Sequence, residues 1–431
     1  MTPSERKAVL PEAERMKSPP RTMELVSPAG NAEKCAVAFH YGADAVYIGG
    51  TNFNLRAMAA GASAEVLAGT VRDAHEHYHG KVYLTLNAYL HEAQSAALID
   101  FLSEIRDIPF DGYIVSDLGT LTALERTIPS ARIHVSTQAN VTNALAAERW
   151  RSLGASRIVL ARELTLDEIR AVRDGTDAEL EVFVHGAMCI AYAGRCLVSN
   201  YLTSRNANSG DCSHVCRWQY RLLEERTRAG EYLPVIDGDG YAMILSSKDL
   251  AMARHLKAVS DAGVDAVKIE GRMKSVYYVA NVTRVYRKLI DALSGATSFD
   301  AVTASGDLSA YIDELEKVTH RMYGTGFFFG GPAAEGAHPS EASYIPGRRL
   351  MAMVTSVDGA RARITVYNTI SPAMTLVAIG RDYCTREYPE YKLMVRDDSG
   401  IHDAERVRGV DEAYIETVIP LSPFDILTVE Q

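Results

Sequence analysis

The sequence predicts an α/β chain: a TIM-barrel-like (β/α)8 domain with a four-cysteine insertion between strands 7 and 8, plus a small C-terminal antiparallel β-barrel domain. Three observations predict it. Eight short, nearly continuously apolar runs recur over about 270 residues, as parallel strands buried on both faces require. The segments between them carry helical periodicity. Past about residue 340 the pattern changes to short alternating strands separated by turn residues.

The elements follow in chain order. Residues 1–22 mix both charges with proline and contain no apolar h-region, which predicts a disordered tail and not a signal peptide. The eight runs are Glu24–Ser27, Ala45–Gly49, Val82–Asn87, Tyr113–Ser116, Ile133–Gln138, Ile158–Arg162, Leu180–His185 and Ala266–Glu270. Turn-forming text such as GADAVYIGG and GVDAVKIEG introduces several of them. The clearest helix spans Ser275 to Leu293, with Val276, Val279, Val282, Val285, Tyr286, Leu289, Ile290 and Leu293 on one stripe. An open doubly wound sheet is the alternative, but eight regularly spaced units favour closure. The barrel domain is therefore placed at 23–295, with the cysteine insertion at 186–247. A helical linker occupies 296–339 and ends in GTGFFFGGP. The terminal β-barrel domain, 340–431, contains MAMVTSV, ARITVYN, TLVAIG, EAYIETVI and FDILTVE as strands. Substrate docking and homo-oligomer formation are both open roles for it.

Composition excludes some classes of function. Hydrophobic content of 47% and charged content of 23% describe an ordinary globular chain. No apolar run is long enough to span a bilayer, so no membrane role is expected. The expected location is cytoplasmic, where thiols stay reduced. A formal net charge of −10 argues against sequence-blind binding of nucleic acid. It leaves room for a local basic patch that docks one folded RNA.

Four of the six cysteines, Cys189, Cys196, Cys212 and Cys216, fall in one stretch with the spacing C-x6-C-x15-C-x3-C. Thiolates are soft ligands, and four from one segment can close around a metal or an iron–sulfur cluster. The loop between them is rich in Gly, Ala, Ser and Asn and has no apolar core of its own. Structural zinc usually shows two tight knuckles, whereas here only the Cys212/Cys216 half is tight. Spacing alone leaves a cluster, zinc and four unliganded thiols as competing readings.

In a barrel of this kind the active face is built from loops after the C-terminal ends of the strands. The residues at those ends are Ser27, Pro28, Gly49, Gly50, Asn87, Ser116, Asp117, Gln138, Asn140, Arg162, Glu163, His185 and the run Glu270-Gly271-Arg272. Singly, each marks a strand end; together, beside the cysteine loop, they read as a site. Arg195, Arg205, Arg217, Arg221, Arg272 and Lys274 cluster nearby, either as solvated surface or as a clamp for carboxylate or phosphate. Trp218 and Tyr220 read first as core packing. His75-Glu76-His77-Tyr78-His79 formally matches the zinc-peptidase motif H-E-x-x-H. It lies at a helix end on the opposite, lower face of the barrel and reads as accidental.

The stretch EVFVHGAMCIAYAGRCLVSNYLT…GDCSHVCRWQYRL resembles the signature of peptidase family U32. ELVSPAGN…YGADAVYIGG, KIEGRMKS and TGFFFG resemble further blocks of it, so the resemblance covers residues 23–431. The family name implies collagenase-like proteolysis. The cysteine block is most similar to the RNA-hydroxylating members, whose reaction makes 5-hydroxyuridine at the tRNA wobble position without oxygen, uses prephenate and depends on iron–sulfur biogenesis. The resemblance implies tRNA as partner and a 4Fe–4S cluster on Cys189, Cys196, Cys212 and Cys216, with zinc as the alternative metal. Arg56, Arg162, Arg195 and Arg272 are the candidates for holding a small dicarboxylate co-substrate such as prephenate. His185 and Glu270, at strand ends, are the candidate proton-transfer groups. A collagenase-type peptidase and a zinc-stapled, non-enzymatic binding scaffold are the rival readings.

Overall fold

The computed structural model describes residues 23–55, 61–189, 191–217, 247–294, 307–330, 344–381, 385–409 and 412–430. The N-terminal tail lies outside them, as do Arg56, Trp218, Tyr220, Arg221 and Cys384.

Eight parallel strands form a closed ring. They are β1 (Glu24–Pro28), β2 (Ala45–Gly49), β3 (Lys81–Leu86), β4 (Gly112–Val115), β5 (Ile133–Val135), β6 (Ala155–Val159), β7 (Glu179–Ala187) and β9 (Ala266–Ile269). The first seven pair in sequence order, and β9 pairs with both β7 and β1, which closes the barrel. Each falls on a run expected from the sequence. Two short strands lie outside the ring. β8 (Asp249–Ala251) runs antiparallel to the end of β7, and β10 (Tyr323–Gly324) adds to β8 in parallel.

Outward-facing apolar side chains of the strands pack against a ring of helices to make the main core. Polar residues at strand ends start those helices. Asn31, Ser63, Asp117, Asn143 and Thr165 each accept a hydrogen bond from a backbone N–H three residues on, which satisfies a donor the helix itself cannot. The helix Val276–Ser294 buries the expected stripe, from Val276 and Val279 to Leu289 and Ile290.

The barrel interior differs from the branched apolar filling common in this architecture. Only Val26, Ala45, Tyr47, Tyr83, Ile114 and Ala266 form a small inner apolar cluster. Around it runs a column of ion pairs. Arg157 donates to Glu24 at 2.6 Å, to Glu179 at 2.9 Å and to Glu181 at 3.1 Å. Lys268 donates to the other oxygen of Glu181 at 2.7 Å. Lys81 at the base donates to Glu24 at 2.5 Å, and Arg132 to Glu179 at 2.6 Å.

The C-terminal domain is one antiparallel sheet of eight strands, β11 (Arg349–Asp358), β12 (Arg361–Val366), β13 (Leu376–Ile379), β14 (Thr385–Tyr388), β15 (Lys392–Asp397), β16 (Gly400–Asp403), β17 (Glu412–Glu416) and β18 (Ile426–Val429). Side chains from β11 to β15, β17 and β18 share a single second core, so the sheet wraps around it. Sequence expected five of these strands. β14, β15 and β16 were missed because their exposed faces are charged and their runs are short. The domain docks on the outside of the barrel. The Tyr41 hydroxyl donates to the carbonyls of Ile379 and Phe424, both at 2.9 Å, and Tyr367 donates to Glu33.

Candidate functional site

Two adjoining cavities occupy the C-terminal face of the barrel. The first sits in the barrel mouth; Tyr47, Thr85, Asn87, Ser136, Gln138, Arg162, Phe183, Lys268, Glu270 and Arg272 line it. The second lies against it, and all four loop cysteines, Cys189, Cys196, Cys212 and Cys216, line its wall. Leu55, Thr137, Gln138 and Arg162 belong to both, so the cavities share a partition.

The cysteine loop is seated by specific close contacts. Gly194 has φ +74, and a Cβ there would come within 2.4 Å of the Gln138 amide nitrogen. Gly210 has φ +96 and would place a Cβ 2.3 Å from the Asn54 carbonyl. Both positions need glycine for backbone conformation and for clearance. Asn208 brackets Cys196 by accepting from its amide at 3.0 Å and donating to its carbonyl at 3.2 Å. Glu163 accepts from the Ala193 amide at 2.6 Å, and Ser247 donates to the Met188 carbonyl at 2.8 Å. The His214 amide points at the Cys212 sulfur, 3.4 Å away.

No disulfide joins the described cysteines. Cys35 is buried elsewhere, under the barrel helices, and burial, with Asp73 adding, pushes its thiol up to about 12. The four loop thiols are exposed or half-buried. Zinc draws four sulfurs to within about 3.8 Å of each other, given Zn–S bonds of about 2.3 Å. Among the described residues, no three or more Cys, His, Asp or Glu side chains are gathered so as to hold a single ion. All four are soft donors on the wall of one cavity, the donor type that holds zinc or an iron–sulfur cluster.

The predicted arginines separate. Arg162 and Arg272 meet in the mouth cavity. Arg272 is almost wholly buried and donates to the Thr85 hydroxyl and the Asn54 side-chain oxygen, both at 2.9 Å. Arg162 stacks on the Phe183 ring at 3.8 Å and donates to the Ala187 carbonyl at 2.9 Å, at the root of the cysteine loop. Its other nitrogen stands 3.6 Å from the Glu270 carboxylate, a loose ion pair. Arg195 instead faces an outer groove with Tyr89, His91 and Asn208, and donates to the Tyr89 hydroxyl at 3.0 Å and the Gln138 carbonyl at 3.2 Å.

Glu270 reaches the mouth; His185 does not. Phe183 pairs with Lys268 and faces inward, but a bulge at Val184 makes His185 pair with Ile269 and turns it outward. Its ring packs among Tyr278, Tyr286 and Tyr323, with centroids 5.3–5.9 Å away. Burial, partly opposed by Asp249, lowers its pKa to about 3. An unfolded histidine protonates near pH 6.5, so this neutral histidine stabilises the fold above that pH, and its contribution is lost as pH falls from 6.5 toward 3. His185→Phe is therefore expected to flatten the stability–pH curve in that window by up to about 1.4 kcal/mol per pH unit, read by chemical denaturation. It should leave catalysis within a few-fold, whereas Glu270→Gln should lower turnover by about a hundredfold or more.

Sequence reading missed Lys268. It is buried on β9, two residues inside Glu270, and its ammonium lies 4.4 Å from the Tyr47 ring centroid. Burial lowers its pKa, against the pull of Glu181. The available signal was charge on one face of short buried strands: Glu24, Arg157, Glu181 and Lys268. Two further polar atoms deserve note. The Gln138 side-chain oxygen, at the partition, and the second oxygen of Glu163, on the cysteine cavity, are buried with no hydrogen-bond partner among the described residues. The H-E-x-x-H match has an ordinary explanation, since His75 bonds Asp111 at 2.9 Å in a π-helical turn at the barrel's lower end. No described helix is long and apolar enough to cross a membrane.

The chain is 38% identical over 325 residues to tRNA hydroxylation protein P1 of Bacillus subtilis, covering 74% of this chain and 75% of that protein. It is 34% identical over 343 residues to tRNA hydroxylation protein P of Escherichia coli, covering 70% and 74%. It is 39% identical over 300 residues to the 23S rRNA 5-hydroxycytidine C2501 synthase of Escherichia coli, covering 69% of this chain but 44% of that larger enzyme. The sequence pattern described as Peptidase family U32 matches residues 30–338, and the chain belongs to that family.

Proposed function

We propose that this protein hydroxylates RNA, and specifically converts the wobble uridine of tRNA to 5-hydroxyuridine. The observation that carries the reading is the pair of joined cavities, one ringed by four thiols and the other by cations, sharing Arg162 and Gln138 as partition. Relatives named for tRNA hydroxylation, and one for rRNA hydroxycytidine synthesis, support an RNA substrate. A base inside a folded RNA reaches such a recess by leaving its stack.

Cys189, Cys196, Cys212 and Cys216 are the residues that would hold a 4Fe–4S cluster. When bound, it would supply redox or Lewis-acid chemistry next to the mouth. The chain's own residues do the rest. Arg162 and Arg272 bind the carboxylate end of a small hydroxyl donor, with prephenate as the candidate. Glu270, beside Arg162, is the carboxylate placed to hold or move a proton at the mouth. The cysteine loop roofs the mouth and limits access of water.

Mass spectrometry of tRNA nucleosides from a deletion strain tests this. Loss of 5-hydroxyuridine derivatives, restored by the wild-type gene and not by Glu270→Gln, is the expected result. Unchanged levels in a strain without a second copy of the gene would end the proposal. Glu76→Gln is expected to restore hydroxylation fully, and neither protein should cleave gelatin.

A further inference from the structure

The mouth cavity has more positive charge than two arginines. Three cationic side chains line it, Arg162, Lys268 and Arg272, against a single carboxylate, Glu270. Beneath the mouth the charges are paired: Arg157 bridges Glu24, Glu179 and Glu181, and Lys268 donates to Glu181, while Lys81 and Arg132 at the base are half-exposed. This lies inside a chain whose formal net charge is −10. Three cations facing one carboxylate in a recess make a site that an anion completes.

The arrangement also separates the cations by depth. Lys268 and Glu270 share the inward face of one strand, so Lys268 sits deeper, about 7 Å back along the tilted strand. Its ammonium lies between the faces of Tyr47, at 4.4 Å, and Phe183, at 5.6 Å. Arg162 lies over that same Phe183 ring, and Arg272 is 5.9 Å from Tyr47. Two aromatic rings, with Ile114 and Val159, thus wall the space between a deep cation and two shallow ones.

We propose that Lys268 is a specificity-determining residue that receives the second carboxylate of a dicarboxylate with a ring-sized apolar body, while Arg162 and Arg272 receive the first. The proposal rests on the reading that this cavity takes the small acid. The ligand spans the cavity from floor to rim. Its rim carboxylate competes with Glu270 for Arg162, and so frees Glu270 while leaving Arg162 bonded to Ala187 at the root of the cysteine loop.

The test is calorimetric binding to the full chain, without RNA. The probes are prephenate, which carries two carboxylates, and phenylpyruvate, a similar ring with one. Wild type is expected to favour prephenate by about tenfold to a hundredfold, the value of one charge-assisted hydrogen bond. Lys268→Met should erase that preference by weakening prephenate alone, and Lys268→Arg should keep part of it. Equal affinity of the two probes for wild type, no binding of either, or equal losses in Lys268→Met overturn the proposal. Arg157 still pairs with Glu181 in the Met variant, and a circular dichroism melt verifies folding. Failure here with intact RNA hydroxylation removes only the role of Lys268. The expected binding pattern with no hydroxylation removes only the assigned reaction.

Discussion

Cys212→Ser is expected to abolish hydroxylation, by at least about a hundredfold, and to strip iron and sulfide from protein purified without oxygen. Changes one shell beyond a metal's ligands already cost about 10- to 100-fold, so loss of a thiolate ligand should cost at least the upper end. Cys212 is the informative choice because its sulfur accepts the His214 amide, a contact that holds the sulfur at the cavity wall. Serine keeps the size but replaces a soft donor with a hard one. Cys189→Ser, Cys196→Ser and Cys216→Ser should behave alike. Cys35→Ala is the control. That thiol is buried under the barrel helices, far up the pH scale and remote from the loop, so its removal should cost stability of order 1 kcal/mol and no iron. One zinc and no iron in the wild-type protein, or iron retained in Cys212→Ser, would defeat the cluster assignment.

Much of this was legible in the text of the chain, for physical reasons that also mark where legibility stopped. Parallel strands buried on both faces must be short and apolar, so all eight barrel strands could be found, and their order fixed which loops meet at the mouth. That all four loop cysteines line one cavity followed from their confinement to one excursion. His185 was misplaced because strand alternation was carried through an irregularity that leaves no mark in the sequence: Val184 bulges, and the next residue changes face. Arg195 was grouped with Arg162 and Arg272 by nearness in sequence, yet the loop carries it over the rim into the outer groove. Lys268 was read as part of a strand. A lysine in the middle of AVKIE can be inside a barrel only if something neutralises it, and its partner, Glu181, is 87 residues away. Long-range charge pairing of that kind has no local signature.

That same column gives the largest expected effect on stability. Arg157→Met is expected to destabilise the protein by about 3–5 kcal/mol and to lower the melting midpoint by of order 10 °C. Arg157 touches three carboxylates at once, and removing it leaves Glu181 to Lys268 alone and Glu24 to Lys81 and Tyr83. The pH dependence distinguishes loss of charge pairing from loss of packing. Burial alone would raise the Glu24 carboxyl, but Arg157, with Lys81 and Tyr83, pulls it down to about 2 from the usual 4.5. A depressed carboxyl stabilises the fold above the unfolded value and loses that contribution as pH falls through the folded one. The gap between wild type and Arg157→Met should therefore be widest above pH 4.5 and narrow steadily toward pH 2. Chemical denaturation across that range measures it. A gap that stays constant with pH would mean that Arg157 acts by filling space, and that the charged column, with the anion site proposed above it, is not an electrostatic device.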